Sequence, residues 1–204
     1  MAEKPSVLLF DLGGVLLSNG WGRISRKAAA ERFDLDWEGF EGRHEMVVDR
    51  FETGKPSLDE YLTRTVFYRE RSFTTDEFIR FMKDQSQRHS DSLELVSSLS
   101  ATGAYLLAAL NNESRELNEH RIATFGLDEY FSVFLSSCYL GIRKPNEEIY
   151  RLTLDITHRH PEECLFIDDR AGNVECADQM GIPTIQFHDP DQLKDDLERQ
   201  GVTV

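Results

Sequence analysis

The sequence predicts an α/β fold in which a parallel β-sheet is covered by helices on both faces, with an all-helical unit inserted after the first strand. The apolar run from Ser6 to Phe10 ends at Asp11 and a pair of glycines, as a strand buried on both faces does at a tight turn. After Ser92, apolar runs alternate with segments of helical spacing. Such alternation implies right-handed crossovers between parallel strands.

The segment after the first strand has a different character, because helical spacing recurs in it without a convincing strand. The four helices predicted there cover residues 24–33, 37–51, 58–68 and 78–82. At Ser57 and Thr74 a hydroxyl residue precedes acidic residues, which is typical of a helix start. The phenylalanines of this segment, Phe67, Phe73, Phe78 and Phe81, are expected to form its core. We therefore assign residues 18–88 to a helical unit, and residues 1–17 and 89–204 to the sheet core.

The remaining elements of the core follow in alternation. The predicted strands cover residues 104–110, 131–135, 164–167 and 183–187. The predicted helices cover residues 93–99, 113–125, 146–158, 171–180 and 191–200.

Composition narrows the classes of partner. The 204 residues carry a formal charge of −14, which argues against binding to nucleic acid or to an anionic membrane surface, since both select basic patches. No stretch approaches the ~20 apolar residues of a membrane span. The three cysteines are expected to be reduced thiols, and the first residues lack the layout of a signal peptide, so we expect a cytoplasmic protein.

Polar residues follow three of the predicted strands. They are Asp11 after the first, Asn111 and Asn112 after the second, and Asp168 and Asp169 after the fourth. Ligands of open parallel sheets bind at the carboxyl ends of the strands, so these side chains are expected to meet in one crevice. Three carboxylates brought together repel one another unless a cation lies among them. Oxygen ligands without a nearby Cys or His pair favour Mg²⁺.

The same crevice can hold a phosphate group. Lys144 lies on the loop after the third strand, where a lysine can neutralise both a carboxylate and phosphate oxygens. Asn111 and Asn112 precede a helix whose free N–H groups suit an anion. A phosphorylated small molecule is therefore the expected partner.

Four motifs, in order, carry a family resemblance. They are Phe10-Asp11-Leu12-Gly13-Gly14-Val15, Leu110-Asn111-Asn112-Glu113, Arg143-Lys144-Pro145-Asn146, and Phe166-Ile167-Asp168-Asp169-Arg170 followed by Asn173. The chain resembles members of the haloacid dehalogenase superfamily, with a Rossmann-like core and a small helical cap inserted after the first strand. The motifs span nearly the whole chain.

The resemblance implies a Mg²⁺-dependent phosphatase. By it, Asp11 is the nucleophile and forms an aspartyl-phosphate that water hydrolyses. Direct Mg²⁺ ligands would be Asp11, the backbone carbonyl of Gly13 and Asp169, with Asp168 and Asn173 in or just outside the shell. Lys144 would assist catalysis and bind substrate together with Asn111 and Asn112. Arg23, close after the first motif, would face the substrate from the cap.

Two positions depart from the common pattern. Gly13 stands where a second aspartate usually serves as general acid and base, and Asn111 stands in place of Ser or Thr. Positioned proton transfer typically contributes ~10²–10⁴ in rate, so its loss favours substrates whose leaving oxygen needs little protonation. An anomeric sugar 1-phosphate is one such substrate, and an acid borrowed from the cap or from Glu113 is the other possibility. The resemblance is closest to members with Gly here, some of which look like sugar-phosphate phosphatases.

Two other functions stay open at this point. A degenerate relative could hold Mg²⁺ and a phosphorylated metabolite without turnover, a reading that Gly13 motivates. A dehalogenase could use the same aspartate without a metal, and the intact Asp168-Asp169 pair speaks against it.

Overall fold

Five parallel strands form the centre of the protein, in the spatial order β3-β2-β1-β4-β5. The computed structural model describes residues 4–203. The strands are β1 (Val7–Phe10), β2 (Leu106–Ala109), β3 (Val133–Phe134), β4 (Cys164–Asp168) and β5 (Thr184–Gln186). All five predicted strands are confirmed. Four of them are shorter than predicted, and β4 is one residue longer. The predicted parallel α/β fold is confirmed with them.

The helical insertion follows β1. Its helices are α1 (Arg23–Arg32), α2 (Trp37–Glu45), α3 (Val48–Glu52), α4 (Leu58–Thr65) and α5 (Thr75–Asp84). The prediction of four helices was wrong, because the chain leaves helical geometry at Val47 (φ −126°, ψ −11°) and divides the predicted second helix in two. Consecutive β-branched residues, Val47 and Val48, lower helix propensity at that point. Both predicted helix starts are confirmed as capping boxes, Ser57 with Glu60 and Thr74 with Glu77.

The remaining helices cover the sheet. They are α6 (Ser90–Thr102), α7 (Arg115–Phe125), α8 (Ser137–Leu140), α9 (Glu147–Thr157), α10 (Ala171–Gln179) and α11 (Pro190–Arg199). Alternate residues of β1 point to opposite faces, so Leu8 and Phe10 pack with residues of α6 and α11, while Val7 and Leu9 pack with residues of α9 and α10. Full burial of one such side chain contributes roughly 1.5–3 kcal/mol. The two-sided burial explains why β1 is a continuous apolar run.

The insertion has a hydrophobic core of its own, rich in aromatic rings. Phe78 is fully buried and lies within 6.4 Å, between ring centroids, of Trp21, Phe33, Phe40, Phe67 and Phe73. The predicted phenylalanine core of this segment is therefore confirmed. The cluster reaches the sheet unit through Leu117 on α7.

The two connections between the insertion and the core run side by side. The backbone N–H of Ser18 donates to Gln87 O (2.7 Å), and the N–H of His89 donates to Leu16 O (2.9 Å). These are the positions at which the sequence places the boundaries of the insertion. The division into two domains stays a prediction.

The pairing register of β1, β2 and β4 places the carboxyl ends of these strands side by side at one edge of the sheet. Phe10 pairs with Ala109 on one side and with Ile167 on the other. Asp11, Leu110 and Asp168 are therefore the next residues at the same edge of the sheet. Among residues 4–203, no helix has the length and apolar character needed to cross a membrane.

Candidate active site

Three carboxylates meet at the carboxyl edge of the sheet. Asp11, Asp168 and Asp169 each offer an oxygen atom, and these atoms lie within 4.8 Å of one another. Asp11 and Asp168 are buried, and Asp169 is half-buried. The predicted convergence of residues more than 150 positions apart is therefore present.

Lys144 links two of these carboxylates. Its Nζ lies 3.1 Å from Asp11 Oδ1 and 2.6 Å from Asp168 Oδ2, and it also donates to Leu110 O at 2.6 Å. The side chain is only 1% exposed, so these three oxygens replace its hydration shell. The ammonium is thereby fixed beside one oxygen of Asp11.

Asn112 holds the backbone of Lys144. The amide of its side chain accepts from Lys144 N (2.9 Å) and donates to Lys144 O (2.9 Å). Asn112 was predicted to contact phosphate, and it does line the cavity described below. Its side-chain contacts, however, position the loop that carries Lys144.

Asp168 is fully engaged with protein groups. Its Oδ1 accepts from Arg170 N (2.8 Å) and Asn173 Nδ2 (3.0 Å), and its Oδ2 accepts from Lys144 Nζ and from the same Asn173 nitrogen (3.0 Å). Two bonds at each oxygen use the lone pairs that a carboxylate offers. This geometry suits a residue that orients Lys144.

Asp11 keeps one oxygen free. Its Oδ1 accepts from Leu12 N (2.8 Å) and lies beside Lys144, whereas its Oδ2 forms no hydrogen bond with the described residues. Burial, with the charges of Asp168 and Asp169, raises the pKa of Asp11 to about 7, although Lys144 acts in the opposite direction. The three carboxylates therefore repel one another in their charged forms unless a further cation is present.

Asp169 meets the requirements of a metal ligand. Its Oδ1 is buried and has no hydrogen-bond partner among the described residues, and burial, followed by the Asp168 charge, raises the pKa of this carboxyl. The carbonyl oxygen of Gly13 likewise accepts no backbone hydrogen bond within residues 4–203. These oxygens and the cluster of carboxylates fit a hard divalent cation.

Gly14 allows the close approach of Asp169 to the turn after β1. A Cβ at this position would lie 2.4 Å from Asp169 Oδ2, and the backbone has φ +85°, which L side chains rarely adopt. Any other residue here would push Asp169 away from Asp11.

A cavity of about 300 Å³ lies over Asp11, which is the member of the three carboxylates that lines it. Its floor contains Asp11, Gly13 and Lys144, and its upper wall comes from the insertion, with Trp21, Arg23, Arg26, His44 and Phe51. Arg23 lines the cavity and is exposed, and its contact with substrate stays a prediction.

Asn111 lies elsewhere than predicted. Its amide nitrogen donates to Asn118 Oδ1 (2.9 Å), and its carbonyl oxygen accepts from Ser136 Oγ (2.8 Å). The side chain is 1% exposed and does not line the cavity. This placement differs from the predicted phosphate contact, because polar partners on α7 and before α8 hold the amide below the site.

Sequence reasoning missed the polar network in the upper wall. Tyr61 Oη accepts a hydrogen bond from Trp21 Nε1 (2.9 Å) and lies 2.9 Å from His44 Nδ1, and Arg26 forms two hydrogen bonds with Glu41. Burial, assisted by the nearby charge of Arg26, lowers the pKa of His44 to about 4. The imidazole is therefore neutral near pH 7. A buried polar residue at helical spacing carries no signal that separates it from a packing residue.

It also missed Arg121, which forms a buried ion pair with Glu113 (3.1 Å) and lines the cavity. The residue lies in mid-helix, outside the four motifs.

Comparison with known proteins gives the family. The model of the haloacid dehalogenase-like hydrolases matches residues 5–181. The chain is 31% identical over 165 residues to flavin mononucleotide hydrolase 1 of Arabidopsis thaliana, covering 80% of this chain and 66% of that protein. It is 24% identical over 200 residues to D-ribitol-5-phosphate phosphatase of Bacteroides thetaiotaomicron, covering 88% and 90%. The chain spans 39% or less of several other curated relatives that it matches.

A solved structure shows the same fold. A haloacid dehalogenase family enzyme from Bacteroides thetaiotaomicron, in complex with magnesium and inorganic phosphate, has a TM-score of 0.75 at 20% sequence identity. The likeness covers 93% of this chain and 98% of that one. Since the family match spans most of the chain, including the three clustered carboxylates and Lys144, this protein belongs to the haloacid dehalogenase-like hydrolase family.

Proposed function

We propose that this chain is a Mg²⁺-dependent phosphatase that hydrolyses a phosphate monoester of a small molecule, with Asp11 as the nucleophile. The observation that carries the proposal is the cluster of Asp11, Asp168 and Asp169 beside Lys144, in which Asp11 and Lys144 line a cavity of about 300 Å³. The two relatives named above, by their names, act on phosphate esters, which supports the same chemistry.

The free oxygen of Asp11 performs the first displacement. Lys144 and Leu12 N hold Oδ1, so Oδ2 is the atom available to attack phosphorus. A bond forms between Oδ2 and phosphorus while the bond from phosphorus to the leaving oxygen breaks, and that oxygen keeps the electron pair. Water then attacks the aspartyl-phosphate, which releases inorganic phosphate and restores the carboxylate.

Asp11, Asp169 and the Gly13 carbonyl are the groups that would hold Mg²⁺. Bound there, the ion supplies positive charge to the phosphoryl oxygens as the transition state forms. Asp168 is assigned to orient Lys144, since both its oxygens are occupied by protein donors. Lys144 keeps positive charge beside Asp11 while the phosphoryl group is transferred.

The helical insertion, residues 18–88, acts as a cap over the catalytic core of residues 1–17 and 89–204. Trp21, His44 and Phe51 form the wall opposite Asp11. Closing this wall over a bound ester excludes water during the first displacement. Arg23 on the same wall brings positive charge to an anionic substrate, whereas Arg26 is paired with Glu41.

An activity assay tests the proposal. We expect wild-type protein to hydrolyse p-nitrophenyl phosphate with Mg²⁺ and to stop when the ion is chelated. Asp11→Asn lowers kcat by about 10⁴-fold or more, as the loss of a nucleophile does. The matched control is Asp195→Asn, an exposed aspartate on α11, which keeps wild-type activity.

The same assay separates the alternatives. Phosphate binding without any Mg²⁺-dependent turnover would replace the proposal with a binding protein. Release of chloride from 2-chloropropionate in the presence of chelator, with no phosphatase activity, would replace it with a dehalogenase.

The leaving group is the finer part of the proposal. Because Gly13 offers no acid, we infer a preference for esters whose leaving oxygen needs little protonation, such as glucose 1-phosphate over glucose 6-phosphate. Flavin mononucleotide and D-ribitol 5-phosphate, both esters of a primary hydroxyl, belong in the same substrate panel. A clear preference for the primary esters contradicts the inference on leaving groups and leaves the phosphatase proposal intact.

A further inference from the structure

The turn after the nucleophile presents an open face at Gly13. A Cβ at this position would meet the guanidinium of Arg121, 3.6 Å from Nη1 and 3.7 Å from Nη2. At Gly20, a Cβ would lie 3.4 Å from the same Nη1. Two glycines therefore flank the guanidinium, and the chain places a fixed cation where a side chain two residues beyond Asp11 would point.

Arg121 has donors to spare. Its Nη1 donates to Glu113 Oε2 (3.1 Å) and its Nη2 donates to Ser18 O (2.7 Å), while Nε is buried without a partner among the described residues. A guanidinium has five N–H donors, so these contacts use only part of its capacity. The side chain is 2% exposed, and what remains accessible lines the cavity. Nη1 and Nη2 each carry one more N–H group, and these are the donors that can reach a ligand atom in the cavity.

Glu113 does not fill the role of an acid in this arrangement. Its Oε2 is paired with Arg121, and its Oε1 accepts from Ser114 N (2.9 Å). Both carboxylate oxygens of Glu113 are therefore engaged as acceptors of hydrogen bonds from protein donors. A guanidinium donates hydrogen bonds but does not act as a proton donor in proteins, so Arg121 can stabilise charge without transferring a proton.

We propose that Arg121 is a catalytic residue that donates a hydrogen bond to the leaving oxygen of the phosphate ester. The inference rests on the proposed phosphatase function. In-line displacement places the leaving oxygen on the far side of phosphorus from Asp11. Arg121 faces the cavity and is anchored to Ser18 O, at the connection that leads into the insertion. As the ester bond breaks, its electron pair goes to that oxygen, the guanidinium stabilises the negative charge, and solvent supplies the proton after departure.

This role predicts the chemical class of good substrates. A hydrogen bond from a permanent cation stabilises negative charge without transferring a proton, so it suits leaving oxygens that already carry charge well. Aryl and anomeric phosphates belong to this class, and simple alkyl phosphates do not. The rate advantage of the better leaving group depends on how much of the charge Arg121 stabilises.

Two esters of similar shape measure this dependence. p-Nitrophenyl phosphate and phenyl phosphate differ by a single nitro group, and nitrophenolate is the better leaving group. The ratio of their kcat/KM values reports the first displacement. In Glu113→Gln/Arg121→Gln, which removes both charges of the buried pair together, we expect the ratio to rise about tenfold or more. Removal of one donor to a developing oxyanion typically costs ~10²–10³ in rate, and phenyl phosphate bears most of that loss.

Matched variants separate this role from a structural one. Glu113→Gln alone keeps Arg121 and is expected to keep the wild-type ratio. Arg121→Lys keeps a positive charge but replaces the planar guanidinium by a single ammonium group, and it is expected to raise the ratio to an intermediate value. This variant replaces the double variant in the assay if the double variant unfolds at too low a temperature. Equal losses on both esters, with the ratio unchanged, would overturn the proposal.

Binding of a phosphoryl mimic provides a readout besides turnover. Calorimetry with Mg²⁺ and beryllium trifluoride, which mimics the phosphoryl group on Asp11 and has no fourth oxygen, is expected to give the wild-type Kd for the double variant. A Kd weakened tenfold or more would assign Arg121 to the transferred phosphoryl group and overturn the proposal. Wild-type protein inactive on both esters would remove the proposed function itself, which is a distinct result.

Discussion

The floor and the roof of the cavity are built in different ways. The floor consists of charged groups at strand ends, where Lys144 contacts two carboxylates within 3.1 Å. The roof consists mainly of aromatic and neutral polar groups of the insertion, with Tyr61 between Trp21 and His44, and its arginines Arg23 and Arg26 stand apart from the charged cluster of the floor. Reaction chemistry requires fixed charges and therefore a rigid sheet edge, whereas substrate selection uses a surface that packs around different molecules. The comparison predicts that substitutions in the floor abolish activity. Substitutions in the roof are predicted to change the pH dependence of stability.

Lys144→Gln should produce the largest effect. The change leaves Asp11 and Asp168 without their shared cation, and breaking a buried charge pair costs about 3–5 kcal/mol of unfolding free energy. We also expect kcat/KM to fall about 10³-fold, as for loss of a preorganised charge. Urea unfolding and the p-nitrophenyl phosphate assay measure the two effects.

The exposed Lys194 provides the control for this change, since Lys194→Gln removes an equal charge on α11. Activity of Lys144→Gln within tenfold of wild type would show that the charged floor is not where the chemistry resides.

His44 should make the stability of the roof depend on pH. Burial lowers its pKa from 6.5 to about 4, so the unfolded chain binds a proton more readily than the folded one between these values. The stabilising contribution is complete above pH 6.5 and is lost as the pH falls toward 4, by about 3 kcal/mol in all. The groups that face the ring are Arg26, Glu41, Tyr61 and Arg143.

His44→Gln keeps a hydrogen-bonding side chain for Tyr61 but does not titrate. The difference in unfolding free energy between wild type and His44→Gln should therefore shrink as the pH falls from 6.5 to 4. Parallel stability curves for the two proteins over this range would contradict the buried, neutral imidazole and, with it, the contrast between floor and roof.

Arg143 joins the two regions at the rim and should give the smallest effect. Its guanidinium pairs with Asp49 (2.6 Å) and Glu52 (3.1 Å) on α3, and the side chain is 30% exposed. The pair with the exposed Asp49 contributes about 0–1 kcal/mol and the half-buried Glu52 somewhat more, so Arg143→Gln should lower the unfolding free energy by less than Lys144→Gln does. KM for p-nitrophenyl phosphate should change severalfold while kcat stays near wild type.

Added salt tests the same contact, because surface ion pairs are screened. The effect of Arg143→Gln on KM should diminish in high salt. A loss of kcat as large as that of Lys144→Gln would mean that Arg143 takes part in catalysis together with the residues of the floor.

The carboxyl edge of the sheet could be predicted because its signals are local. Asp11, Asp168 and Asp169 each follow a buried apolar run, and parallel pairing alone brings such positions together. The division of the second predicted helix at Val47 was not visible, since hydrophobic spacing continues across the turn. For the same reason, spacing could not distinguish Asn112, whose side chain supports Lys144, from Asn111, whose amide bonds to Asn118 and Ser136.

The sequence by itself determined the strands, the residue that follows each of them and the charged floor of the site, because strand periodicity and turn chemistry act over a few residues. Only the tertiary structure decided which side chains meet across the cavity. Arg121 and Ser18 are 103 positions apart, and Trp21 and Tyr61 are 40 apart. Contacts of this kind depend on the angle at which whole helices pack, and no local pattern encodes that angle.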